Sequence, residues 1–394
     1  MSYRYTPADV AYLTSPDGVA AAADLAASLA LTPASLVGDI ARAGKRYGQF
    51  GAALVDTVAL RRRALAKMPA ADAERRLFTD DGLQQATPHI VARHRAVRLT
   101  GRRVHDVTCS IGADLAAAAC TADLVVGSDL DPVRLLMARH NVPGVEVLRA
   151  DALTPTTRGT TVVADPARRS DGRRTVDPAA LEPSLPSLLE IYRGRDLVIK
   201  CAPGLHPERL DFDGEAEVVS LDGGVREMCL WSPGLAGPGV RSRATILRSN
   251  GFVEQVTDLD PDDCGVGEPG AYVIDPDGAI VRAGLVRHWA KRHGLRQLDP
   301  RIAHLTGDAI PPGASGFPFL EMLPMRPKPL RARLRSLDCG PLEILVRGAD
   351  VDPDHLRKQI KPTGSTPLTV VVTRIGSRVT ALICGAREFA GSLS

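Results

Sequence analysis

Aromatic residues are scarce in this chain, at 4%, which excludes a broad platform for stacking single-stranded bases. No run of 18 apolar residues occurs, so no membrane-spanning helix is expected. The opening residues, Met1-Ser-Tyr-Arg-Tyr-Thr-Pro7, carry no apolar signal core. The seven cysteines, at 109, 120, 201, 229, 264, 339 and 384, form no Cys-x-x-Cys pair and no metal-type spacing with histidine. That scatter points to a reducing compartment, a cytoplasmic location and no metal centre. A strong charge of one sign is also missing. The net charge is +3, so any contact with nucleic acid must come from a local patch. What remains is 394 residues, 44% hydrophobic and 24% charged, an ordinary globular composition in a chain too long for one core.

The most informative stretch is Val104-His-Asp-Val-Thr-Cys-Ser-Ile-Gly-Ala-Asp114. It reads as a buried strand, a tight turn and an Ala-rich helix from Leu115. A second apolar run, Leu124-Val-Val-Gly, ends in Ser128-Asp129. A third acid, Asp151, follows the apolar run 145–148. A fourth, Asp165, closes Thr161-Val-Val-Ala and precedes Pro166. Strand-like runs that each end near an acid describe one edge of a parallel α/β sheet. Ligands bind such sheets beyond the carboxyl ends of the strands. Leu197-Val-Ile-Lys-Cys201 reads as a fifth strand. Glu217-Val-Val-Ser, Gly223-Gly224 and Met228-Cys-Leu-Trp231 read as an antiparallel pair. No G-x-G-x-x-G opens the first helix, which disfavours a dinucleotide-binding dehydrogenase.

This ordered series resembles class I S-adenosylmethionine-dependent methyltransferases. The resemblance implies a Rossmann-like α/β sheet with S-adenosylmethionine as cofactor. It implies that Asp106, Thr108, Ser110, Gly112 and Asp114 approach the methionine part, with Thr108 and Ser110 standing where many members have glycine. Asp129 would meet the ribose and Asp151 the adenine, and Leu130 and Ala152 beside them would also bind the cofactor. Asp165-Pro166 would stand beside the transferred methyl. Upstream, Leu83-Gln-Gln-Ala-Thr-Pro-His-Ile-Val-Ala-Arg-His-Arg-Ala-Val97 is similar to the segment that leads into the cofactor site of trimethylguanosine synthase-like enzymes. Thr87 is expected to cap this helix and to lie at the cofactor, with Pro88 in the first turn.

The chain divides, on this reading, into an N-terminal helical domain (1–83), a class I methyltransferase domain (84–250), a small α+β domain (255–325) and a THUMP-like domain (326–394). Helices are expected over 19–31 and 55–67. Arg61, Arg62, Arg63 and Lys67 on the second form either a solvated face or a phosphate-contacting one. After Asp131-Pro132, residues Val133, Leu136 and Met137 mark a sheet-packing helix face. Val281, Leu285 and Trp289 mark another. Leu342-Glu-Ile-Leu-Val-Arg-Gly-Ala-Asp-Val-Asp352, with the hairpin of 368–372 and 379–383, resembles THUMP-like domains. That resemblance implies RNA binding. Arg326, Lys328, Arg331, Arg333 and Arg335 form the densest basic run, with two prolines. It reads as a linker or a phosphate-tracking patch.

Methyl transfer from a sulfonium is an in-line displacement that chiefly needs alignment and exclusion of water. Asp165 is expected to hold the acceptor, and Pro166 to stiffen the turn. The run Asp165-Pro-Ala-Arg-Arg169 lacks the second proline and the aromatic of amine-methylating members. Arg168 and Arg169 suggest an anionic neighbour such as a phosphate, or form a charged surface loop with Asp171, Arg173 and Arg174. Cys201, in Cys201-Ala-Pro203, is loosely similar to the nucleophile of RNA uracil carbon-5 methyltransferases. Lys200 would activate it only if the two side chains converged. The function expected is methylation of a base in RNA. The alternatives are a small-molecule or protein methyltransferase, and a non-catalytic RNA-binding protein on a degenerate methyltransferase fold.

Overall fold

Local capping chemistry sets the N-terminal helices. Thr6 and Asp9 form a reciprocal capping box at helix Pro7–Leu13. Ser15 caps helix Pro16–Ser28 through the Gly18 amide, and Thr79 caps Asp80–Gln85 through the Gly82 amide. Proline opens the first two helices, where the missing N–H would have no intrahelical partner anyway. Helices Leu36–Tyr47, Gly51–Ala64 and Ala70–Arg75 lie between these, and His89–Val97 follows. A computed structural model describes residues 3–168, 177–205, 210 and 212–390. The chain forms two units: Met1–Ala216 with Arg226–Gly237, and Glu217–Val225 with Pro238–Ser394.

In the first unit the helices do not form a separate body. Leu13, Leu25, Leu54, Leu60, Leu77 and Phe78 share one core with Ile111 and Met137, which come from the sheet region. Asn141 fastens the join. Its amide donates to the Leu77 and Ile111 carbonyls (2.8 and 2.9 Å), and its oxygen accepts the Leu77 N–H (2.8 Å).

Strands Arg103–Asp106, Leu124–Asp129, Glu146–Arg149, Thr161–Ala164 and Leu197–Cys201 are all parallel. Across the sheet they stand in the order third, second, first, fourth, fifth. Residues 228–231 add an antiparallel neighbour, with Trp231 opposite Val198. The order reverses between the first and fourth strands, and such a switch point is where α/β sheets hold ligands. Gly127 lets helix Ala113–Ala118 lie directly on the second strand; a Cβ there would come within 2.6 Å of Leu115 Cδ1. In helix Pro132–Asn141 the buried residues are Leu135, Met137 and Ala138, whereas Leu136 is exposed. Val133 and Met137 thus pack as expected, and Leu135 is buried in place of Leu136.

In the second unit, Ser242–Leu247 and Val253–Thr257 form an antiparallel pair. Strand Ser315–Pro324 pairs with Tyr272–Ile274 and with Arg378–Cys384, so one sheet runs through the segments read as 255–325 and 326–394. Thr366–Ile375 pairs parallel with Cys339–Arg347 and forms the expected hairpin with Arg378–Cys384. Helix Pro353–Ile360 makes the crossover between the parallel pair. The helix face read from Val281, Leu285 and Trp289 belongs to two helices, Gly278–Arg282 and Val286–Arg292, divided at Gly284 with φ +74°.

The basic run is no linker. It forms helix Pro327–Ser336, which buries Leu330 and Leu334. Both prolines lie in the first turn, where they break no helical hydrogen bond. Among the described residues, no helix is long and apolar enough to cross a membrane.

Candidate active site

At the switch point the first strand ends in Asp106, whose Oδ1 accepts the Thr108 N–H at 3.0 Å and tightens the turn. Thr108 Oγ1 accepts the Asp165 N–H at 2.6 Å and ties the turn to the end of the fourth strand. Ser110 holds a left-handed φ of 48°, and its N–H reaches Asp129 Oδ2 at 3.0 Å. Gly112 (φ 82°) then starts helix Ala113–Ala118. A side chain at Gly112 would be strained and would crowd Val142 Cγ2 at 3.1 Å. Asp129 Oδ1 accepts the Asp131 N–H at 2.9 Å, and Asp151 Oδ1 accepts the Leu153 N–H at 2.9 Å. Each carboxylate keeps further lone pairs for a ligand.

These elements enclose a cavity of about 340 Å³, within the range of small-molecule sites. Asp106, Thr108, Ser110, Asp114, Asp129, Leu130, Asp151, Ala152 and Asp165 line it. Gly112, Thr87 and Pro166 do not; Gly112 shapes the turn from behind. The Thr87 hydroxyl bonds Asp114 rather than capping a helix, and Pro88 itself is the N-cap of His89–Val97. Arg168 closes a two-residue strand paired with Leu181–Glu182, and its side chain lies outside the described residues. Arg169, Asp171, Arg173 and Arg174 lie outside them altogether. The Ser110 hydroxyl is buried and has no partner among the described residues, so it is free for a bound molecule.

Sequence reasoning missed the charges behind this cavity. Lys200 is buried near the end of the fifth strand and lines the cavity. Its ammonium donates to Asp165 Oδ2 (2.5 Å) and Asp114 Oδ2 (2.8 Å). Asp114 also accepts from Arg95 Nη2 (2.5 Å), and Arg95 Nη1 donates to Glu227 Oε1 (2.6 Å). Charges thus alternate along Asp165, Lys200, Asp114, Arg95 and Glu227. Burial opposes ionisation of Asp114, but Arg95 and Lys200 outweigh it and hold its carboxyl at about 2. Burial would also discharge Lys200, yet Asp114 and Asp165 raise its pKa above the usual lysine value. Among the described residues Asp106 has no such cation in contact, and burial, then Asp114, pushes it up to about 7. Asp165 is raised by burial, with Lys200 opposing. The one signal in the sequence was a lysine in an otherwise apolar strand.

Cys201 does not line the cavity, and burial, then Asp165, raises its thiol pKa well above the ordinary value. The convergence with Lys200 that activation would need does not occur, because neighbouring strand residues face opposite ways. The N-terminal cations are likewise engaged internally. Arg62 donates to the carbonyls of Ala26, Leu29 and Ala30, and Lys67 to those of Leu83, Gln84 and Ala86. Arg61 reaches the carbonyls of Arg75 and Arg76, and Arg63 pairs with Asp80. Arg61, Arg62 and Lys67 thereby close the ends of neighbouring helices, while Arg62 and Arg63 stay exposed.

A parallel sheet in this strand order, with an antiparallel neighbour on its fifth strand and acids converging at its switch point, has the class I methyltransferase architecture. Over 354 residues the chain is 55% identical to an uncharacterized S-adenosylmethionine-dependent methyltransferase of Mycobacterium tuberculosis, in strains CDC 1551 and H37Rv; the match spans 86% of this chain and 98% of the relative. The chain belongs to the S-adenosylmethionine-dependent methyltransferases. Residues 314–386 match the THUMP domain-like family. The fold is similar to that of a candidate methyltransferase from Porphyromonas gingivalis W83, with a TM-score of 0.70 at 20% identity, covering 91% of this chain and 99% of that one.

Proposed function

We propose that the protein methylates a base in RNA, at an amine or ring nitrogen, with S-adenosylmethionine held in the cavity of the first unit. The observation that carries this reading is Asp165, which follows the fourth strand at the switch point and lines the same cavity as Asp129 and Asp151. When bound, the cofactor supplies an electrophilic methyl on a sulfonium. Asp129 would hold the ribose hydroxyls and Asp151 the adenine edge, and the free Ser110 hydroxyl would meet the bound molecule. Asp165 would accept the acceptor's N–H and raise the electron density on nitrogen. Pro166, buried next to Asp165, would stiffen the turn.

RNA as the acceptor is supported by the THUMP domain-like match and by helix Pro327–Ser336, where Lys328 and Arg335 are exposed. Arg333 pairs with Glu321 and is less available. A small-molecule acceptor is the second reading. The engagement of Arg61 and Lys67 with backbone carbonyls favours it, because it draws two cations away from the expected phosphate track.

The test is mass spectrometry of nucleosides from total RNA of cells with and without the gene, complemented by the parent and by Asp165→Ala. The expected result is one methylated base that disappears with the gene and returns with the parent only. An unchanged nucleoside profile moves the small-molecule reading to first place.

A further inference from the structure

We infer that Lys200 is a positioning residue for methyl transfer: its ammonium grips one oxygen of Asp165 and leaves the other to the acceptor. This rests on the reading that Asp165 receives the acceptor. Lys200 Nζ lies 2.5 Å from Asp165 Oδ2, and Oδ1 has no hydrogen-bond partner among the described residues. A carboxylate held at one oxygen cannot rotate freely, so the free lone pairs point one way. The side chain of Lys200 is only 7% exposed, and Asp165, at 37%, opens into the cavity. The lysine is therefore placed to act through Asp165.

The charges around Asp165 make the ammonium necessary. The groups facing it are Lys200, Asp114 and Arg95, with Asp106 in the adjoining turn. Two of these are acids. A carboxyl among acids in a buried site takes up a proton unless a cation opposes it. Arg95 is committed to Asp114 and Glu227, which leaves Lys200 as the cation in contact with Asp165 among the described residues. The protonation state matters for the chemistry. In the transfer the acceptor nitrogen's lone pair forms the new N–C bond, and the C–S pair stays on sulfur. The surplus N–H proton passes to Asp165. An Asp165 already protonated could neither orient that N–H nor take its proton.

The test uses the full chain labelled with 13Cγ-aspartate, with the Asp165 signal assigned by its loss in D165N. In Lys200→Met the Asp165 titration midpoint should rise by about 1–3 pH units, while in Lys200→Arg it stays close to the parent. Methylation of RNA from cells lacking the gene should fall about a hundredfold at pH 7 in Lys200→Met, with its acidic limb moved upward. Lys200→Arg should recover part of that loss. Should Lys200→Met not fold, K200M/D114N leaves no unpaired acid at position 114, and its Asp165 midpoint should lie above that of D114N alone. An Asp165 midpoint unmoved by loss of the ammonium overturns the inference. Parent-like methylation by D165N overturns the reading beneath it, and the titration distinguishes the two failures.

Discussion

Asp129→Ala is the most direct probe of the cofactor assignment. Both carboxylate oxygens already accept backbone amides, from Ser110 at 3.0 Å and from Asp131 at 2.9 Å. The substitution therefore removes two things, the anchor of the turn and the acceptor for the ribose hydroxyls. A hydrogen bond to a charged group contributes about 1.5–3 kcal/mol. Two such bonds would double that figure, but the strand end opens to the cavity and water replaces part of the loss. One bond's worth is the sound expectation, so affinity should fall roughly 12- to 160-fold. The assay is calorimetry with S-adenosylhomocysteine at physiological salt. Asp131→Ala is the control for the turn. Asp131 caps helix Pro132–Asn141 through the Val133 and Arg134 amides and does not line the cavity. Its loss should cost about 1 kcal/mol of stability and leave affinity within threefold. An Asp129→Ala protein that melts like the parent and binds like the parent would refute the assignment of Asp129 to the ribose.

Other outcomes follow from the buried charges and the cationic helix. Arg95→Met leaves Glu227 and Asp114 short of a partner and should cost about 3–5 kcal/mol in urea unfolding, part of which Glu227→Met should restore in the double variant. Asp106 has a folded-state pKa raised to about 7, so its stabilising contribution is whole below the ordinary carboxyl pKa and is lost as pH rises through about 7. Between pH 5 and pH 8 the parent should lose on the order of 2 kcal/mol more stability than Asp106→Asn, and equal slopes would show that Asp106 titrates normally. Lys67→Met should lower stability by about 1–3 kcal/mol through three unsatisfied carbonyls and leave the salt dependence of RNA binding unchanged. Replacing Arg331 and Arg335 together by alanine should reduce the log–log salt slope of RNA binding by about 1.4, or about 0.7 for each phosphate no longer neutralised; an unchanged slope assigns phosphate binding to other residues.

The local pattern of the chain determined a good deal by itself. Apolar runs closed by Asp106, Asp129 and Asp151 and followed by Asp165 were legible as strands of a parallel sheet, because strand period and strand-end polarity are written in consecutive residues. The hairpin around Gly376 was legible for the same reason. What needed the tertiary structure was every partnership between distant charges. Arg95 and Glu227 lie 132 residues apart, and Lys200 and Asp114 lie 86 apart. No periodicity connects them, and only the sheet order brings them behind one cavity. The same limit explains the misread cations. Arg62 and Lys67 looked free because their acceptors are backbone carbonyls, which carry no side-chain signature. The prolines of helix Pro327–Ser336 looked like a linker because a helix start shows itself only when Leu330 and Leu334 have a core to enter. Local sequence sets the strands and their ends, whereas burial and the pairing of charge depend on which distant elements fold together.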